Sequence, residues 1–173
     1  DLSANGHHGT SSGNDPVFET DNALNFHPVV SFDGTDDYLT LDMTDLEGAD
    51  YTLMGVVRRN SGSANQYVFG SETNAADALY FGYSADAQLD VQNSNTASTN
   101  AVVSAFNSPS VSPAIIAVDY NSTNLGLEEF RNGGSNSGIV ATGVDYAATG
   151  YTGNLGRALA GNYFDGDIVE LFA

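Results

Sequence analysis

No window of this sequence keeps apolar residues at i, i+3, i+4 and i+7 long enough to build a helix, and glycine, asparagine, serine and threonine interrupt each start. What recurs is the strand signal. Short β-branched and aromatic runs alternate with turn chemistry such as Asp33-Gly34, Asn60-Ser61-Gly62 and Asn132-Gly133-Gly134. The spacing predicts strands at Val29–Phe32, Tyr38–Leu41, Tyr51–Arg58, Gln66–Ser71, Ala78–Tyr83, Gln88–Gln92, Ala101–Phe106, Ala114–Tyr120, Leu125–Arg131, Ser137–Val140, Thr152–Leu155 and Gly166–Phe172. Many short strands at near-regular spacing point to an all-β chain, an antiparallel sandwich of two sheets or jelly roll. Along Tyr51–Arg58, alternation puts Tyr51, Leu53, Gly55 and Val57 on one face and Thr52, Met54, Val56 and Arg58 on the other. Both faces are largely apolar, which predicts a central strand covered on both sides or lining a concave surface.

With 173 residues, 41% of them hydrophobic, the chain can fill one core, and no Pro/Gly-rich linker or internal repeat divides it. A single module over residues 1–173 is expected. Apolar runs such as Pro113–Val118 are far shorter than the roughly 20 residues a membrane-spanning helix needs, and no basic-then-apolar leader opens the sequence, so no membrane insertion is expected. The first 25 or so residues are polar and glycine-containing, and Ser94–Asn100 reads as an exposed loop tip.

The chain carries 22 acidic residues against four arginines, Arg58, Arg59, Arg131 and Arg157, and no lysine, a formal charge of -18. Such a field repels a phosphate backbone and an anionic membrane, which excludes nucleic acid as a partner. It fits solubility in a salty medium, and it fits divalent-cation binding. The absence of cysteine removes disulfides, thiolate zinc sites and cysteine nucleophiles together. His7, His8 and His27 lack zinc-like spacing and read as loop residues.

Three segments together resemble the laminin-G-like, concanavalin A-type jelly-roll domains of secreted bacterial proteins. Asp1-Leu-Ser-Ala-Asn-Gly-His-His-Gly-Thr is similar to the family's opening "D-x-S-G-N-G-x-x-G-T", with Ala4 in place of glycine. Val30-Ser-Phe-Asp-Gly-Thr-Asp-Asp-Tyr-Leu resembles its first core strand and turn. Leu155-Gly-Arg running to Tyr163-Phe-Asp-Gly-Asp-Ile-Val-Glu-Leu resembles its closing strand. The resemblance spans the chain and implies one concave and one convex antiparallel sheet, in a module of a larger secreted or cell-surface protein. It also implies a structural calcium held by the Asp33-Gly34 turn and Asp167. Asp33-Gly-Thr-Asp36-Asp37 is not an EF-hand loop, because no glutamate stands at the required spacing.

The resemblance further implies glycan recognition, which needs aromatic faces for sugar rings and polar groups for hydroxyls. Without tryptophan the rings must come from tyrosines, of which Tyr67, Tyr80, Tyr83, Tyr120, Tyr146, Tyr151 and Tyr163 are available. Tyr80, Tyr83 and Tyr120, with Arg131, are the expected ligand-binding set. Tyr80 and Phe81 are strand neighbours, so one of them faces away from the core. Glycosidases of this fold carry paired carboxylates on one strand face. Here Glu128 and Glu129 are adjacent and point to opposite faces, while Glu72 finds its nearest such neighbour in Asp77. The expected function is therefore a non-catalytic adhesion or carbohydrate-binding module, supported by calcium, whose partners are a glycan or cell-surface polysaccharide and neighbouring domains of the same polypeptide. The alternatives are a spacer domain without a ligand and, third, a glycoside hydrolase.

Overall fold

The computed structural model describes residues 8–11, 13–20, 24, 26–46, 49–62, 64–71, 79–85, 88–95, 98–107, 112–124, 126–140, 152–158 and 161–172. The strands are β1 (Val17–Thr20), β2 (Pro28–Asp33), β3 (Leu39–Asp42), β4 (Tyr51–Arg59), β5 (Gln66–Ser71), β6 (Leu79–Tyr83), β7 (Gln88–Asn95) and β8 (Ser98–Asn107). They continue with β9 (Ala114–Asn121), β10 (Gly126–Arg131), β11 (Gly134–Val140), β12 (Thr152–Leu155), β13 (Arg157–Ala158), β14 (Asn162–Tyr163) and β15 (Asp165–Phe172). Thr44–Leu46 forms a 3-10 turn, and no helix among the described residues is long and apolar enough to cross a membrane.

The strands build a larger sheet in the order β1-β2-β15-β4-β9-β10-β11 and a smaller one in the order β3-β12-β5-β6-β7-β8, with β13 and β14 as a separate ribbon. Every pairing is antiparallel. The closing strand β15 lies between β2 and β4, with Asp165 opposite Asp33 and Gly166 opposite Phe32 and Arg59. The Asp33-Gly34 turn makes this closure possible. Gly34 adopts φ 74°, and a Cβ there would come within 2.7 Å of the Asp165 Cβ. At the other end, Asn132 and Gly133 take φ 50° and 82°, the positive pair that a tight hairpin between β10 and β11 requires.

The core lies between the sheets. β4, β9 and β15 contribute Leu53, Val57, Ile116, Val118 and Ile168, and β5, β6 and β7 contribute Val68, Phe69, Leu79, Phe81, Leu89 and Val91. Phe32 and Phe164 meet edge to face at 6.2 Å and Tyr51 stacks on Tyr120 at 5.0 Å. Tyr83 and Tyr120 belong to this core, at 2% and 1% exposed, which corrects the expectation that they bind a ligand. They sit in register with Leu89 and with Tyr51 and Leu127, on the inward faces of their strands.

The expected loop tip at Ser94–Asn100 joins two strands that run farther into it than expected, Ser94 pairing with Thr99 and Asn95 with Ser98, and residues 96 and 97 lie outside the described residues. Its alternating Ser, Thr and Asn residues can extend a ladder whose hydrogen bonds run through the backbone. β1, β13 and β14 were not expected, being short or set in polar sequence. His7, Glu72, Asp77, Tyr146 and Tyr151 lie outside the described residues.

Candidate functional site

The outer face of the smaller sheet can be built rung by rung. In β3, Leu41 turns toward the core, so its neighbours Thr40 and Asp42 turn outward. Asn154 lies opposite Thr40, Gly70 opposite Asn154, Tyr80 opposite Gly70 and Gln92 opposite Tyr80, so these residues share one rung. Thr10 extends the rung past the sheet edge, exchanging backbone hydrogen bonds of 2.9 and 2.8 Å with Thr40.

At this edge lies a cavity of about 430 Å³ lined by His8, Thr10, Thr40, Leu41, Asp42, Thr44 and Thr152. Its wall is rich in hydroxyls, each able to donate and accept. Asp42 Oδ1 accepts from the Thr44 amide at 3.0 Å and from the Thr44 hydroxyl at 2.7 Å, which fixes the turn on the cavity wall. Thr152 stands opposite Asp42 across β12 and β3. Next along the rung, Arg157 donates to Asn154 Oδ1 at 3.4 Å while its guanidinium lies 3.7 Å over the Tyr38 ring and 5.9 Å from that of Tyr163.

Farther across the same face, β13 presses onto β5. A Cβ on Gly70 would meet the Ala158 Cα at 2.9 Å, so glycine is what lets the ribbon approach. Ala158 packs with Tyr67 and Tyr80, whose rings are 5.2 Å apart. The Tyr67 hydroxyl donates to the Asp90 carboxylate at 2.8 Å. Burial raises the Asp90 carboxyl above its ordinary range and Tyr67 partly opposes this; burial also pushes the Tyr80 phenol up to about 12.

The expected ligand residues therefore separate. Tyr80 lies on the outer face but is 4% exposed beneath the ribbon, while Tyr83 and Tyr120 fill the core. Arg131 ends β10 in the opposite sheet, near Arg59, whose guanidinium sits 4.0 Å over the Tyr83 ring. Sequence reasoning missed His8, Thr10, Thr40, Asp42, Thr44 and Thr152 as a group, because they come from segments far apart in the chain. The alternation Leu39-Thr40-Leu41-Asp42 was the one signal available.

The expected metal set separates too. Asp167, 1% exposed, is ion-paired with Arg58, its register partner on β4, and faces Ser31 of β2 on the other side. Asp33 is exposed and accepts from the Thr35 and Asp36 amides at 2.8 and 3.3 Å, of which the Thr35 bond does most to lower its carboxyl. Gly34 packs on Asp165, not Asp167. Among the described residues, the carboxylates that do converge are those of Asp33, Asp36 and Asp37, with one oxygen of each within 4.8 Å of the others. Burial, then the charges of Asp33, Asp36 and Asp15, raises the Asp37 carboxyl against the bond it accepts from the Asp33 amide.

Two antiparallel sheets packed through a shared core, with the closing strand set beside β2 in the larger one, define a concanavalin A-like jelly roll, the fold of laminin-G-like domains. Solved structures bear this out. Domain 4 of AbnA, a GH43 extracellular arabinanase from Geobacillus stearothermophilus in complex with arabinotriose, matches with a TM-score of 0.70 at 13% identity, over 94% of this chain and 78% of that one. The Ruminococcus gnavus IT-sialidase CBM40 matches at 0.58 and 16% identity, over 73% of this chain and 75% of that one. Mouse laminin alpha1 chain domains LG4-5 match at 0.63 and 11% identity, over 99% of this chain and 46% of that one. At these identities the likeness is one of fold. No protein-family model matches the chain, and no curated protein matches it in sequence.

Proposed function

We propose that this chain is a non-catalytic carbohydrate-binding module of a secreted or cell-surface protein, serving adhesion or glycan attachment. The observation that carries the reading is the hydroxyl-lined cavity of about 430 Å³ beside β3. That volume falls within the ~300–1,000 Å³ of small-molecule sites. Threonine hydroxyls can donate to and accept from sugar hydroxyls, and the Asp42 carboxylate can accept from them. Relatives in fold whose structures hold arabinotriose or belong to a carbohydrate-binding module support the same class.

The non-catalytic part is supported by Asp90, which faces the Tyr67 hydroxyl at 2.8 Å in a buried setting rather than opposing a second carboxylate across a cleft. Calcium belongs to the reading as a structural ion at Asp33, Asp36 and Asp37, where a divalent cation would relieve like charges; Asp167, held by Arg58, is not among its ligands.

A glycan array probed with the purified chain, in calcium and in EDTA, tests both parts. Saturable binding to a defined set of glycans, weakened by EDTA, is the expected result. A chain that binds nothing in either buffer is a spacer, and release of reducing ends from a bound polysaccharide would make it an enzyme.

A further inference from the structure

We infer that the cavity beside β3 selects uncharged glycans and rejects those bearing sialic acid, uronic acid or sulfate. The inference rests on the carbohydrate-binding reading and deepens it, since the fold is compatible with either ligand class. Recognition of an acidic sugar needs a cation, best a guanidinium whose forked donors match a carboxylate or sulfate. The sequence holds four arginines and no lysine, and the place of each is known. Arg58 is ion-paired with Asp167 on the larger sheet. Arg59 is 2% exposed over the Tyr83 ring in the core. Arg131 ends β10, in the larger sheet as well. Arg157 donates to Asn154, the register partner of Thr40, but it is 7% exposed and engaged there and over the Tyr38 ring.

None of them lines the cavity, and among its described lining residues the fixed charge is the exposed carboxylate of Asp42. Asp42 is held in place by Thr44, so a carboxylated sugar entering here meets a like charge that cannot swing away freely. The surrounding chain, at a formal charge of -18, adds to the repulsion at long range. What remains for a ligand is the set of hydroxyls from Thr10, Thr40, Thr44 and Thr152, which suits neutral sugar hydroxyls. The comparison belongs at about pH 8, above the ordinary imidazole range.

The test is a glycan array at that pH carrying neutral glycans beside their sialylated, uronate and sulfated counterparts, followed by titration of the tightest neutral glycan and its acidic partner. The expected result is binding to neutral glycans, with acidic partners weaker by about tenfold or more in low salt. Because Asp42 is exposed, the gap should narrow in about 0.5 M sodium chloride. It should also narrow in Asp42→Asn, which keeps the acceptor for Thr44 and removes the charge. Acidic glycans bound as well as neutral ones would overturn the selectivity and leave the carbohydrate-binding reading standing. A gap indifferent to both salt and Asp42→Asn would mean that shape, not charge, sets the preference, and would also overturn it. No binding to any glycan overturns both.

Discussion

Tyr67 and Asp90 show how far one hydrogen bond shapes the outer face. Asp90 is 8% exposed, and its carboxyl is raised chiefly by burial while the Tyr67 hydroxyl pulls the other way. A carboxyl raised in the folded state binds its proton more readily there than in the unfolded chain. Its contribution to stability is therefore complete below the unfolded value of about 4 and is lost as pH climbs through the raised folded value. Removing the donor with Tyr67→Phe exposes that cost. The variant should lose about 1–3 kcal/mol at pH 7 and distinctly less near pH 4, read from urea unfolding at the two pH values. Equal losses would assign Tyr67 to packing alone. Alternation showed that Tyr80 and Phe81 must face opposite ways but could not say which way was in. That choice is made by the partner sheet and by a bulge between Tyr67 and Phe69, which sends both Val68 and Phe69 into the core.

β4 displays the same alternation over a whole element. Leu53 and Val57 are buried in the core, whereas Met54 is 39% exposed and lies opposite Phe172 and Ala117 on the outer face of the larger sheet. Leu53→Ala should cost about 2–5 kcal/mol, and Met54→Ala should stay near 0.5 kcal/mol by the same denaturation measurement. Comparable losses would mean that the outer face is covered in solution. The sequence pattern placed β4 at the centre of its sheet correctly, and it located β5 and β12 to the residue. β1 escaped because all four of its residues, Val17 and Phe18 included, are exposed on an edge strand, so no buried face imposes a period on that segment. β13 and β14 escaped because two residues carry no periodicity, and what holds the ribbon is contact with Gly70 across the sheet.

Across the whole molecule, the 22 acidic side chains face four arginines, three of which are tied into an ion pair or onto aromatic rings. The surface is left strongly anionic, and that charge was readable from composition alone. Its consequence for ligand choice was not, because it depends on where each arginine goes. The candidate site was hidden for a related reason. Its residues reach one sheet edge only through the pairing of Thr10 with Thr40 and of Thr152 with Asp42, contacts that no local motif announces. The fold, by contrast, needed only local periodicity and the opening and closing motifs. The central claim, that this edge is where a glycan binds, is tested most directly by a crystal structure of the chain with the tightest glycan from the array. Sugar density against His8, Thr40, Thr44 and Thr152 is the predicted result; well-ordered sugar elsewhere on the molecule, with this cavity holding only solvent, would contradict it.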